Sequence, residues 1–129
     1  MAFYTGGQSE NFIQKVNQGD SYAFTVSMKD ATTLLIVPFV DGDTVRYTVR
    51  STPDSSEITL QKSVTVFTAE GKAEFAVLST DTEDIALGEY VYDIEVTRVD
   101  GSVTTVIPDS ETVCELPKYV VCPQVTKLA

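Results

Sequence analysis

Three stretches of this chain change from polar to apolar at nearly every step: "DSYAFTVSM" (20–28), "DTVRYTVR" (43–50) and "GEYVYDIEVT" (88–97). A period of two sends successive side chains to opposite faces of an extended strand, whereas a surface helix would repeat its apolar positions every three to four residues. The first stretch therefore puts Tyr22, Phe24, Val26 and Met28 on one face and Ser21, Ala23, Thr25 and Ser27 on the other. The second puts Val45, Tyr47 and Val49 inward and Arg46, Thr48 and Arg50 outward. In the third, Tyr90, Tyr92, Ile94 and Val96 oppose Asp93, Glu95 and Thr97. Strands with one wet face and one buried face need a second layer to cover them.

The rest of the chain reads the same way. "EITLQKSVTVF" (57–67) carries Ile58, Leu60, Val64 and Val66 in phase, and Lys62 interrupts them, which marks an edge strand or a change of strand. "KAEFAVL" (72–78) follows a turn signal at Glu70–Gly71. "LLIVPF" (34–39) is continuously apolar and fits a buried strand, with Pro38 confining it to an edge or a bend because proline donates nothing to a ladder. Asp100–Gly101 predicts a hairpin joining a strand that starts at Glu89 to one that starts at Ser102. "TDTEDIALG" (80–88) has room for one helical turn, capped by Thr80 or Asp81. With roughly seven to nine short strands and no long helix, the expected fold is all-β, an immunoglobulin-like antiparallel β-sandwich. A length of 129 residues suits a single domain. Residues 1–10 read as a flexible tail and 11–129 as the sandwich. The apolar run "LPKYVVCPQV" (116–125) leaves two options for an extra strand over 117–125: it completes the sheet or adds to a neighbour's edge.

Charge and residue types narrow the function. Nineteen acids against nine bases give a net charge of −10, with no basic cluster, which disfavours nucleic acid and anionic membrane surfaces as partners. The first residues lack the charged head and apolar run of a secretory signal, so a soluble chain is expected, made in the cytoplasm or expressed without its leader. There is no histidine, and with it go the Ser-His-Asp and Cys-His devices and the usual zinc ligand sets. Cys114 and Cys122 oppose each other or not depending on the length of the turn between them, so a disulfide stays open. Asp93 with Glu95, Asp81 with Asp84 and Asp41 with Asp43 are paired carboxylates, but they read as solvated strand and turn positions rather than acid–base pairs across a groove. "TDTED" and "VDGD" offer oxygens to calcium without the spacing of a calcium loop, so no metal or other cofactor is expected. Of the six tyrosines, Tyr22, Tyr47, Tyr90 and Tyr92 fall on apolar phases; only Tyr4 and Tyr119 have room outside the core for stacking on a sugar.

"DTEDIALGEYVYDI" (81–94) has the form seen in immunoglobulin-like sandwiches, where an early strand tyrosine closes the corner between sheets by bonding to backbone a few residues upstream. Tyr90 occupies that place, and Tyr92 stands where antibody domains carry a disulfide cysteine; without a partner cysteine or any tryptophan this is not an antibody-type domain. Gly19–Asp20 before "SYAFTV", then Gly88, Tyr90, Tyr92, Asp93 and Ile94, then Asp100, Gly101 and Ser102, resemble the amino-terminal domain of the phage baseplate upper protein family and related prophage tail modules. The likeness spans about residues 12 to 116. It implies a non-enzymatic structural module of a virion, in the tail or baseplate, assembling with other tail proteins and with its own copies. Gly88, Tyr90, Tyr92, Asp100 and Gly101 would then serve the scaffold. The alternative is a binding module that recognises a cell-surface glycan or protein through the sandwich loops.

Overall fold

The computed structural model describes residues 3–4, 13–30, 32–33, 35–107 and 117–123. In chain order the strands are β1 (Phe3–Tyr4), β2 (Gln14–Asn17), β3 (Tyr22–Val26), β4 (Met28–Asp30), β5 (Ile36–Val37), β6 (Thr44–Arg50), β7 (Leu60–Val64) and β8 (Ala73–Val77). A single helical turn, α1 (Ser79–Thr82), precedes β9 (Gly88–Thr97), β10 (Val103–Ile107) and β11 (Lys118–Cys122). The fold is an all-β sandwich. Its larger sheet runs β2-β11-β9-β6-β7, with β10 also on β9, and faces the β3–β8 pair; β1, β4 and β5 form a third, small sheet.

The two layers meet through aromatic rings. Phe24 and Phe75, on β3 and β8, stack at 5.2 Å and both present edges to Tyr47 of β6, at 5.0 and 5.8 Å. Tyr47 in turn meets Tyr92 of β9 edge to face at 5.6 Å. Such pairs add about 0.5–1.5 kcal/mol each beyond the area they bury. Around them the period-two reading holds: Val26, Met28, Val45, Val49, Ile94 and Val96 are all buried.

β9 is the long member, ten residues flanked on one side along most of its length by β6. Its other side is shared. β11 pairs with the first part, Gly88–Val91, and β10 with the last, Ile94–Thr97. The side of β9 opposite β6 is thus shared between two strands, one ending at Ile107 and the other beginning at Lys118. The strand at 118–122 is no surplus: it lies between β9 and β2, antiparallel to the first and parallel to the second. Two strands sharing one side of β9, and two-residue elements such as β5, are why the described residues hold eleven strands where the pattern predicts roughly seven to nine.

Two expectations need correction. Ile58 and Val66 lie outside β7 and are 46% and 83% exposed, so only Leu60–Val64 is strand. Among the described residues of "LLIVPF", Ile36–Val37 form an edge strand whose ladder ends before Pro38; Leu35 is 69% exposed and Ile36 40%, while Phe39 is buried. Lys62 does sit on an edge strand, β7, where its ammonium reaches Asp81 at 2.9 Å.

Backbone demands differ sharply between two turn glycines. Gly71 has φ +78°, and a methyl there would stand 2.4 Å from Pro38 Cβ. Gly101 has φ +91° but open space around it. Gly71→Ala is expected to lower the unfolding free energy by ~2–4 kcal/mol, summing left-handed strain and overpacking, and Gly101→Ala by only ~1 kcal/mol. Urea denaturation of the two variants measures the difference.

Candidate functional site

Tyr90 stands at the start of β9 and donates its hydroxyl to the Ala86 carbonyl at 2.7 Å, four residues upstream. The bond ties the α1–β9 connection down onto the sheet. Two further bonds fix the same segment to the β2–β3 turn: Thr82 Oγ1 donates to the Asp20 carbonyl at 2.9 Å, and Gln18 Nε2 to the Ile85 carbonyl at 2.7 Å. Gly88 begins β9 at φ +142°, and Tyr92 lies in the core against Tyr47. Asp100 and Gly101 belong to the other end. Gly101 donates to the Arg98 carbonyl at 2.9 Å to close the turn, and Asp100 Oδ1 accepts from the Ser102 amide at 2.9 Å. Gly88 and Tyr90 open β9, Tyr92 lies within it, and Asp100–Gly101 follow its end; the ten-residue strand is about 30 Å long at strand rise. The five residues singled out by pattern do not form one site; they secure opposite ends of one strand.

The structure does bring phenols together. Tyr22 Oη lies 2.9 Å from Tyr47 Oη and donates to Tyr119 Oη at 2.9 Å, and Tyr47 donates to Gln14 Oε1 at 2.6 Å. Tyr119, which the pattern leaves free to lie outside the core, is fully buried, because β11 is an inner strand whose alternate residues face the β3–β8 pair. The side chain of Tyr4 lies outside the described residues. Burial raises the pKa of Tyr22, Tyr47, Tyr92 and Tyr119, since a phenolate there would lose its hydration. These phenols stay protonated at neutral pH, and Tyr22 and Tyr47 donate their protons to Tyr119 and Gln14. Periodicity placed Tyr22 and Tyr47 inward; nothing in spacing reveals that they share a hydroxyl chain with Tyr119.

The acids separate by role. Asp41 is exposed, but Asp43 is 1% exposed and accepts from the Val40 amide at 2.9 Å, the Val99 amide at 3.0 Å and Arg98 Nη1 at 2.7 Å. The pattern predicts a solvated turn residue here; Asp43 is instead a buried clip joining the loop before β6 to the β9–β10 hairpin. Burial alone would raise its pKa, but the Val40 amide, Arg98 and the Val99 amide outweigh that and hold it below the usual carboxylate range. Asp81 accepts from Lys62 and from the Leu78 amide at 2.8 Å. Asp93 and Glu95 face outward and are half-buried rather than fully solvated; burial, then the neighbouring Glu95 carboxylate, raise Asp93, opposed by Arg50.

Among the described residues no three Cys, Asp or Glu side chains converge as a metal-binding set, and no helix is long and apolar enough to cross a membrane. Cys122 is half-buried on β11, while Cys114 lies outside the described residues. No protein-family model matches the chain, and no curated protein matches it in sequence.

The Asp43 clip carries a pH signature. Its folded pKa is depressed, so its contribution is complete above the unfolded value of about 4 and is lost as pH falls through the lower folded value. Asp43→Asn is expected to cost ~3 kcal/mol at neutral pH, from charge-assisted bonds lost to Arg98 and both amides. The difference in stability between variant and parent should shrink as pH falls below about 4. Denaturant melts of both proteins across that range test it.

Proposed function

We propose that this chain is a non-enzymatic structural module of a phage or prophage virion, in the tail or baseplate, that works by protein–protein assembly. One observation carries the reading: Asp43, Asp81 and three of the tyrosines, side chains that look reactive, are engaged in holding the fold together. Asp43 clips two loops, Asp81 bridges an edge strand to α1, and Tyr22, Tyr47 and Tyr119 bond one another inside the core. The Tyr90–Ala86 bond and the parallel seat of β2 on β11 support an immunoglobulin-like arrangement within the sandwich. The likeness of the Gly88–Ile94 and Asp100–Ser102 motifs to baseplate upper proteins supports the virion setting and, with it, other tail proteins and further copies of this chain as partners.

A second reading, recognition of a cell-surface protein or glycan through loops, has its own support. The Asp43 clip fixes the amides of Val40 and Val99, whose side chains are 49% and 69% exposed, so one end of the sandwich offers a stiff apolar tip. Preorganised loops bind at lower ordering cost.

Light scattering on the purified chain across a wide concentration range separates the two. Assembly predicts a closed oligomer of fixed mass. A strict monomer at every concentration that also binds sugars on a glycan array would replace the first reading by the second.

A further inference from the structure

Between the β6–β7 connection and the α1 turn lies an open groove of about 670 Å³. Its lining is mixed: Glu57, Asp81 and Asp84 supply acids, and Ile58, Ile85 and Tyr90 apolar surface, of which Ile58 is the most exposed and Ile85 is buried. The volume falls in the range that binding clefts occupy, about 300–1,000 Å³. Both walls are fixed. On one side Arg50 Nη1 donates to the Ser55 carbonyl at 2.8 Å; on the other, Gln18 and Tyr90 hold the carbonyls of Ile85 and Ala86, each at 2.7 Å.

Its electrostatics are one-sided. Asp81 is already bridged to Lys62, but the exposed carboxylates of Glu57 and Asp84 have no cationic partner among the described residues. No lysine or arginine lines the groove. Beside these acids Ile58 leaves 46% of its surface in water. An isolated cation would find charge here but leave the apolar surface wet, and a purely apolar ligand would strand the acids under a lid of low dielectric. A ligand that satisfies both has an aliphatic group and positive charges a few ångströms to either side.

We infer that this groove docks an extended segment of a partner protein in which an aliphatic side chain is flanked by lysine or arginine. The aliphatic group covers Ile58, and the cations face Glu57 and Asp84. The net charge of −10 draws such a segment in over a longer distance, and walls that need no rearrangement keep the ordering cost low. The inference rests on the assembly reading above and gives it a surface.

A capped Lys-Val-Lys-Val-Lys peptide, titrated into the isotope-labelled full chain and followed by NMR, tests it. Amide shifts are expected to concentrate at residues 57–61 and 80–86. The double substitution Glu57→Gln with Asp84→Asn should weaken binding about fivefold, as two partly screened ion pairs would. Asp41→Asn with Glu70→Gln removes the same charge at exposed sites on other loops and should leave binding within about twofold. All four positions are exposed, and the dispersion of the spectra reports directly that each variant is folded. Ile58→Ser should weaken the valine peptide and leave a Lys-Ser-Lys-Ser-Lys control unchanged.

Shifts scattered over the acidic surface, equal losses in the two double variants, or no shifts at all would overturn the inference. Light scattering keeps the two proposals apart. An oligomer that forms while the peptide shifts nothing leaves the assembly reading standing and removes the groove. A monomer whose groove takes the peptide supports the groove and removes self-assembly.

Discussion

A phenol with no exposed surface must find its hydrogen-bond partner inside the protein, and Tyr47 imposes that condition on the whole fold. Its ring fills the space between the sheets, against Phe24, Phe75 and Tyr92. Its hydroxyl cannot reach water, and leaving it unpaired would cost about 1–3 kcal/mol. The partners come from distant chain segments: Gln14 before the first long strand, Tyr22 on the opposite sheet and, through Tyr22, Tyr119 near the other end of the sequence. Satisfying one buried oxygen thus sets where β2, β3 and β11 lie relative to β6. An apolar residue at 47 would pack as well but would not discriminate among registers of those three strands.

The same logic governs the ends of the sandwich, where the groups needing partners belong to the backbone. Loop amides of Val40 and Val99 turn inward and meet the carboxylate of Asp43; the carbonyls of Ile85 and Ala86 meet Gln18 and Tyr90. Each end is closed by a side chain from a different part of the chain, so the loops inherit the stiffness of the sheets. Such loops present fixed surfaces, which is the property that an assembly module and a recognition module share.

How much of this was legible depended on whether a feature was local. The phases of Tyr22–Met28, Val45–Val49 and Tyr90–Val96 are properties of consecutive residues, and a half-buried strand writes them plainly. Lys62 announced an edge because an inward charge is tolerable only where it can escape, and Asp100–Gly101 announced a hairpin because its geometry is set within four residues. Tyr119 sits in a run of only five strand residues bounded by prolines, too short to establish a phase, and its burial follows from neighbours β2 and β9 far away in sequence. Asp41 and Asp43 are equivalent on paper; Arg98, 55 residues beyond Asp43, decides which of them is buried. Ile58 and Val66 continue the apolar phase of β7 beyond the point where the backbone leaves the ladder, so alternation alone overstated that strand.

Charge then decides which faces are available for contact. Among the described residues three ion pairs occupy Lys62, Arg98 and Lys118, while acids outnumber bases nineteen to nine over the chain. Two copies approaching through their acidic loops repel one another, weakly at physiological salt because the screening length there is about 8 Å, but without any compensating attraction. Both ends of the sandwich carry exposed acids, Asp41 and Asp100 beside Val40 and Val99 at one and Glu57 and Asp84 at the other, so neither end is free of this repulsion. An unlike partner bearing cations meets the opposite condition. The core between them keeps the Val40–Val99 loops and the Glu57–Asp84 groove apart, so the two ends present separate sets of residues.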